Sequence, residues 1–210
     1  RFKARGIVWF ATVTTVAEAL AAEAAGADVV VAQGAEAGGH RGAFDANAAE
    51  RQAVGLFALL PAVVDAVRLP VVATGGIADG RGVAAALLLG ASAAQIGSGL
   101  LRSPEAAIDP LWAAALGTTR PEDTVVTRAF SGRAGRGVAT SYTAAAASGP
   151  APAPYPVQRG LTAGMKAAVR EARDFQRMQA WAGQAAWLGR DQPAAAAVRR
   201  IWDEASALLG

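Results

Sequence analysis

Short β-branched runs alternate with alanine-rich runs along the first half of the chain. The alanine-rich runs have the length and spacing of helices, and the apolar runs predict four strands: GIVWFATV (6–13), ADVVVAQG (27–34), LPVVATGG (69–76) and AAQIGSG (93–99). Strands that alternate with helices form parallel sheets, so the pattern predicts an α/β fold. It fits four units of a (β/α)8 barrel and a small doubly wound sheet equally well.

Residues that begin and end helices support this reading. Thr15 is placed to cap the first helix, and Gly26 lies where that helix would stop. The helix before the third strand is predicted to start near Pro61, because proline is tolerated in a first helical turn. Asp79 is expected to cap the next helix, which Gly90 would end.

The pattern changes after Pro104, where the segments become helical or irregular. The linker ASGPAPAPYP (147–156) contains four prolines, which are incompatible with a regular element, and SGRAGRG (131–137) reads as a loop. Residues from about 160 to 208 predict two or three amphipathic helices. We therefore divide the chain into an α/β part, 1–117, and a mostly helical or irregular part, 118–210.

Composition and charge exclude several classes of function. A net charge of +3, from 20 basic and 17 acidic residues without a long run of like charge, argues against nucleic-acid binding. The absence of cysteine and the presence of one histidine argue against disulfides and a metal site. The apolar runs are too short for a membrane span, and no leader is evident, so we expect a soluble cytoplasmic protein with no membrane partner.

Glycine-rich segments follow two consecutive strands, at the end of a parallel sheet where ligands bind. TGGI (74–77) and IGSG (96–99) bring exposed N–H groups toward one place, which suits a phosphate. Each segment alone is also compatible with an ordinary tight turn. Their position on adjacent strand ends favours the phosphate site.

His40 lies six residues beyond Gly34, in the loop after the second strand, with glycines on both sides. A neutral imidazole there can remove a proton from a carbon acid or orient a substrate, although a lone histidine is often only a surface residue. Gln33 ends the strand with an amide that both donates and accepts. We favour a functional role for this pair.

Other polar and aromatic residues are less informative. Arg133 and Arg136 either clamp an anion or belong to a solvated loop. Tyr142, Tyr155 and the segment WAGQ (181–184) are candidates for the lining of a pocket, although the helical spacing of Trp181 favours a core position for that residue. Two acidic residues fit the helix or strand periodicity of their segments and are interpreted as structural: Asp28 and Asp65.

Three long segments together resemble the nitronate monooxygenases, formerly called 2-nitropropane dioxygenases. They are VVVAQGAEAGGHRG, LPVVATGGIADGRGVAAALLLGASAAQIGSGLLRSPEA and FSGRAGRG, and the distal YPVQRGLT and WAGQAA are also similar to that family. The GGH motif alone is less specific, because it also resembles FMN-dependent enoyl-ACP reductases of the same superfamily.

The resemblance implies an FMN-binding (β/α)8 TIM barrel, of which 1–117 would hold about the last four βα units, and a substrate-capping segment in 118–210. It implies that Gln33 contacts the isoalloxazine and that Gly38 and Gly39 pass close to the flavin. His40 matches the family's active-site histidine. The residues implied to hold the FMN phosphate are Gly75, Gly76, Gly97 and Ser98.

The implied activity is oxidation of alkyl nitronates, and of nitroalkanes in some members, by dioxygen to a carbonyl compound and nitrite. Two alternatives stay open: an FMN- and NAD(P)H-dependent enoyl-ACP reductase, and a non-catalytic half-barrel that acts by association, including as a homo-oligomer. Members of the family also carry an N-terminal half with the first four strands, so we expect this chain to be a fragment of a longer protein.

Overall fold

A computed structural model describes residues 3–210, in which strands and helices alternate as far as the middle of the chain. The strands are β1 (Phe10–Val13), β2 (Val29–Gln33), β3 (Gly39–His40), β4 (Val71–Thr74), β5 (Ala93–Gln95), β6 (Thr124–Thr127) and β7 (Gly135–Val138). The helices are α1 (Val16–Ala24), α2 (Leu56–Ala66), α3 (Gly80–Leu88), α4 (Pro110–Leu116), α5 (Ser141–Ala147), α6 (Val157–Leu161), α7 (Ala163–Ala172) and α8 (Ala194–Leu209).

The main sheet is parallel and has the strand order β1-β2-β4-β5. Its strands lie within the four predicted runs, so the prediction of an α/β fold with a parallel sheet is confirmed. The strand order follows the chain without a reversal, whereas a doubly wound sheet reverses its order at a switch point. The ligand-binding end is therefore formed by consecutive loops after β2, β4 and β5.

The predicted ends of two helices are confirmed. Thr15 accepts a hydrogen bond from the N–H of Glu18 at 3.2 Å, and Gly26 follows α1 with a φ of +89°. Asp79 accepts from the N–H of Gly82 at 3.1 Å at the start of α3, and Gly90 has a φ of +96° after its end. Both glycines adopt the left-handed conformation that commonly terminates a helix.

The predicted start of the second helix near Pro61 is wrong. The helix α2 begins at Leu56, which places Pro61 in its interior. The residue before the helix is Gly55, whose lack of a side chain leaves the N-terminus uncapped locally. Glu36 supplies the acceptor instead: its two carboxylate oxygens lie 2.9 and 3.0 Å from the N–H of Leu56. This cap is 20 residues away in sequence, so no local signal marks it.

A second, antiparallel sheet has the order β3-β7-β6 and was not predicted. The segment read as a loop, SGRAGRG, contains most of β7, whose glycines weaken any strand signal. The structure explains two of them. A Cβ on Gly135 would lie 3.0 Å from the ring of Trp181, and one on Gly137 would lie 2.7 Å from the carbonyl of Ala180.

The C-terminal part contains the expected amphipathic helices, and the last of them packs against the α/β part. The contact between α8 and α3 is close, because a Cβ on Gly80 would lie 2.3 Å from that of Glu204. Ile201 and Ala205 of α8 are buried in the same core as the parallel sheet. The division at residue 117 stays a prediction. No helix in the described part of the chain is long and apolar enough to cross a membrane.

Candidate functional site

A cleft lies at the carboxyl ends of β2, β4 and β5, where the glycine-rich segments predict a phosphate site. It brings together most of the predicted cofactor-binding residues: Gln33, Gly38, Gly75, Gly76, Gly97 and Ser98. It is also lined by residues that the sequence did not single out, including Thr12, Gln95 and Ala185. Gly39 and His40 do not line this cleft and lie beside it in β3.

The two glycine segments form a cradle of main-chain donors in the cleft wall. Gly75 and Gly76 have φ values of +107° and +69°, a conformation that other residues rarely adopt. A Cβ on Gly97 would meet no atom within 4 Å, so the space beside this residue is open. The N–H groups of Gly75, Gly76 and Gly97 have no acceptor within residues 3–210. Free N–H groups at strand ends suit an anion such as a phosphate.

The glycine at position 38 is required by packing against another part of the main chain. A Cβ there would lie 2.4 Å from the nitrogen of Gly183 and 2.8 Å from the Ser98 hydroxyl oxygen. Ser98 Oγ accepts a hydrogen bond from the Gly183 N–H at 2.8 Å, which leaves its own O–H available to donate into the cleft. The three residues together join the wall of the cleft to the segment that follows Trp181.

Gln33 fastens the loop that carries the histidine. Its Oε1 accepts from the N–H of Gly42 at 2.8 Å, and its Nε2 donates to the carbonyl of His40 at 3.1 Å. The second Nε2 proton is left for a ligand. The predicted contact with a flavin therefore involves a side chain whose orientation is already fixed by the loop.

His40 is half-buried and is hydrogen-bonded to a residue far away in sequence. Its Nε2 lies 2.7 Å from the hydroxyl oxygen of Ser131, which is almost fully buried. The same hydroxyl accepts from the N–H of Arg133 at 3.3 Å and lies 3.2 Å from the carbonyl of Arg133. When the hydroxyl donates to that carbonyl, it accepts from Nε2–H, and the lone pair of the imidazole is then on Nδ1.

The surroundings of His40 keep its imidazole neutral. Burial lowers its pKa from the ordinary value of 6.5, and the positive charges of Arg133 and Arg159 lower it further. A neutral imidazole is the form that accepts a proton. The same two charges favour an anion in the space around the ring.

Aromatic side chains surround the imidazole. The ring centroid of Trp181 lies 5.2 Å from that of His40, and the Tyr155 ring lies 6.0 Å away, edge-on. The expectation of a core position for Trp181 is thus wrong, because its indole is half-buried next to His40. Tyr142 packs against Phe130, with the ring centroids 5.0 Å apart, and donates to the carbonyl of Ala129 at 3.3 Å.

Three arginines hold the loops around the site by donating to main-chain carbonyls. Arg41 is buried and donates to the carbonyls of Gly34 and Gln33 at 2.6 and 3.2 Å. Arg133 donates to the carbonyl of Arg41 at 2.9 Å, and Arg136 donates to that of Ala35 at 2.9 Å. The last two are held by these carbonyls and do not belong to a solvated loop, and their role as an anion clamp stays a prediction.

Other predicted roles also have a place in the structure. Asp28 is structural, because it accepts from the N–H of Trp9 at 2.8 Å and lies 3.3 Å from the ammonium group of Lys3.

Within the described residues, no group of three or more His, Cys, Asp or Glu side chains is arranged to hold a metal.

The contacts made by Ser131 and Gly183 are the main features of the site that sequence reasoning missed. Ser131 lies in SGRAGRG, which was interpreted as a loop, and Gly183 lies in WAGQ, a candidate pocket segment, yet nothing local indicates which atom contacts His40 or Gly38. The contact of His40 with Ser131 spans 91 positions, and that of Ser98 with Gly183 spans 85. Only the tertiary fold reveals these pairs.

Comparison with known proteins gives consistent results. The family model described as nitronate monooxygenase matches residues 1–204. A nitronate monooxygenase of Paraburkholderia phytofirmans is 44% identical over 201 residues, which cover 95% of this chain and 55% of that protein. A probable nitronate monooxygenase of Staphylococcus aureus (strain Newman) is 37% identical over 210 residues, which cover 100% of this chain and 59% of that protein.

Solved structures show the same relationship. A nitroalkane oxidase from Streptomyces ansochromogenes matches with a TM-score of 0.89 and 40% identity, over 98% of this chain and 59% of its own. FabK from Thermotoga maritima matches with a TM-score of 0.78 and 30% identity, over 99% of this chain and 64% of its own. The chain therefore spans between half and two thirds of the length of these relatives.

Proposed function

The chain belongs to the nitronate monooxygenase family, and from this premise we propose that it takes part in the FMN-dependent oxidation of alkyl nitronates by dioxygen. The products are a carbonyl compound and nitrite, and neutral nitroalkanes are a second class of substrate. We further propose that the parallel sheet is an arc of a (β/α)8 barrel, because its strand order follows the chain. The active protein works in the cytoplasm.

The observation that carries the proposal is the cleft formed by the two glycine segments next to a neutral histidine. FMN fits the residues present, because the free N–H groups of Gly75, Gly76 and Gly97 match a phosphate. The Ser98 hydroxyl would add a further donor. Gln33 and Gly38 would contact the ring system, and Gly39 would leave room for it. When bound, the flavin would supply the redox chemistry, with dioxygen as the oxidant.

His40 would act on the substrate as a base or as an orienting group. With Nε2–H donating to Ser131, Nδ1 would accept the α-proton of a neutral nitroalkane. Burial of the imidazole favours this role because it lowers the pKa and keeps the base neutral. With a nitronate as substrate no proton has to be removed, and the ring would orient the anion.

The charge around His40 favours nitronates over neutral carbon acids. Arg133 and Arg159 place positive potential at the imidazole. A nitronate is an anion, so this potential stabilises it, and it also stabilises the negative charge that develops when a nitroalkane loses its α-proton. The side chains of Trp181 and Tyr155 cover the ring and would limit the access of water.

The test is an absorbance spectrum of the purified 210-residue chain after incubation with FMN and desalting. We expect flavin bands that persist, that bleach anaerobically on addition of ethyl nitronate, and that return with nitrite when air is admitted. Riboflavin serves as the matched control, because it lacks the phosphate and should be lost on desalting. Retained flavin that the nitronate cannot bleach would overturn the assigned reaction, and a colourless protein would overturn flavin binding by this chain.

The likeness to FabK keeps enoyl-ACP reduction as the second candidate. The lower TM-score and identity of that match favour the first candidate. The same flavin-loaded sample separates the two. Rapid anaerobic bleaching by NADH, without bleaching by the nitronate, would favour the reductase.

A further inference from the structure

A cavity of about 640 Å³ lies between the N-terminus of α3, the C-terminal part of α8 and the 3-10 helix Ala186–Leu188. It shares no lining residue with the cleft described above. We call it the arginine pocket, because four arginines are in its wall: Arg81, Arg102, Arg190 and Arg200. Its volume lies within the range of about 300–1,000 Å³ that is typical of small-molecule sites.

Two carboxylates also line the pocket, and each is already neutralised. Asp79 is paired with Arg81, and its other oxygen caps α3 through the Gly82 N–H. Glu204 lies 2.8 Å from Arg200, and its other oxygen accepts from the N–H of Gly80 at 3.1 Å. Four arginines against two carboxylates leave the wall with a net charge of about +2.

The charge that is not neutralised comes from Arg102 and Arg190. Within residues 3–210 neither forms a salt bridge. Arg102 is held in place: its Nη1 donates to the carbonyl of Gly189 at 2.9 Å, and its guanidinium lies over Gly117, where a Cβ would come within 2.8 Å of Nη1. The remaining donors of a positioned guanidinium suit phosphate oxygens.

The same pocket contains an exposed aromatic surface. Trp187 is 48% exposed, and Leu208 and Ala207 extend the apolar wall next to it. An exposed indole beside arginines offers a planar face on which a nucleobase can stack, while the cations bind its phosphates. Neither inorganic anions nor apolar ligands would use both features.

We propose that the arginine pocket binds a purine nucleoside diphosphate. The base stacks on Trp187, and the two phosphates lie between Arg102 and Arg190. An adenosine diphosphate group occurs both as a free nucleotide and within a dinucleotide, and the pocket recognises the chemistry that these share. The site is independent of the flavin chemistry proposed above.

The experiment is isothermal titration calorimetry of the 210-residue chain with ADP, adenosine and inorganic pyrophosphate, with and without saturating FMN. We expect ADP to bind with a stoichiometry of one, at least tenfold more tightly than either fragment, and without competition from FMN. Displacement of ADP by FMN, or pyrophosphate binding as tight as that of ADP, would overturn the proposal. A parallel titration with NADH separates the sources: binding equal to that of ADP supports a dinucleotide ligand, and exclusion of NADH supports a free nucleotide.

Three variants locate the site. Arg190→Gln and Trp187→Ala change exposed residues of the pocket, and each should weaken ADP binding about tenfold or more. Arg199→Gln removes an equal charge from an exposed position of α8 that does not line the pocket, and it should leave the affinity unchanged. All three should keep the wild-type circular dichroism spectrum and flavin retention. Equal loss of affinity in Arg190→Gln and Arg199→Gln would show that ADP responds only to net charge and would overturn the assigned site.

Discussion

Replacing Gly38 with alanine tests how the wall of the cleft is assembled. The added Cβ would lie 2.4 Å from the nitrogen of Gly183 and 2.7 Å from the carbonyl carbon of Ala182. Ordinary contacts of this kind are about 3.4–4 Å, so the segment after Trp181 has to move by about 1 Å. That movement separates the Gly183 N–H from Ser98 Oγ, which are now 2.8 Å apart.

The expected loss of stability follows from these contacts. Overpacking a close contact costs about 1–3 kcal/mol, and the lost hydrogen bond adds about 1 kcal/mol. The free energy of unfolding should therefore fall by about 2–4 kcal/mol in Gly38→Ala. For a chain of this size that corresponds to a decrease in Tm of roughly 4–16 °C. FMN retention should fall as well, because the Ser98 hydroxyl loses the hydrogen bond that orients it in the wall of the cleft.

Two other glycines serve as matched controls in the same thermal and urea denaturation assays. Gly39 has a φ of +76° but no neighbour within 4 Å of an added Cβ, so Gly39→Ala should cost only about 1–2 kcal/mol for the left-handed backbone. Gly164 in the exposed face of α7 is also free of neighbours, and Gly164→Ala should be neutral or stabilise by about 1 kcal/mol. A Gly38→Ala protein as stable as Gly39→Ala would refute the packing of Gly38 against Gly183.

Three further predictions concern the cleft and the imidazole of the flavin-loaded protein. His40→Asn should retain FMN but release nitrite from neutral nitroalkane about 100-fold more slowly, and unchanged turnover would exclude His40 as the base. The acid limb of kcat/KM for nitroalkane should lie below pH 6.5, because activity is lost as the pH falls through the lowered pKa of His40. Arg159→Gln should move that limb to higher pH, and a limb that stays in place would contradict the electrostatic contribution of Arg159. Gly97→Val should abolish the preference for FMN over riboflavin in desalting assays, because the valine side chain would occupy the open space of the cleft in which the phosphate is proposed to bind. The Tm should change little, because that side chain would contact no other part of the protein, and an intact preference would argue against the phosphate cradle.

The parallel sheet and two helix caps could be predicted because their signals are local. A run of β-branched residues marks each strand, and Thr15 and Asp79 are within three residues of the N–H groups that they cap. The cap of α2 could not be predicted, because Glu36 reaches Leu56 across a loop. The start of this helix depends on a tertiary contact, and the local signal used to predict it, Pro61, lies inside the helix.

The candidate site shows the same division. The glycine segments are recognisable because they follow strands directly, and the cleft brings them together. His40 is recognisable because it is the single histidine of the chain and lies among glycines. The hairpin of β6 and β7 was missed because glycine is a poor strand former. Gly135 and Gly137 are needed there because a side chain would collide with Trp181 and with Ala180. The partner of His40, Ser131, depends on that hairpin and was therefore missed with it.

The two-residue strand β3 connects two parts of the site that are built from different stretches of sequence. The cradle belongs to the loops after β4 and β5, whereas two residues that act on the imidazole, Ser131 and Arg133, come from the turn of the hairpin with which β3 pairs. Under the function proposed above, mutations in the turn between β6 and β7 should change the environment of His40 while the cradle keeps its structure. For directed evolution of the proposed activity, this turn is the place to diversify in order to change the choice of substrate and keep the proposed flavin.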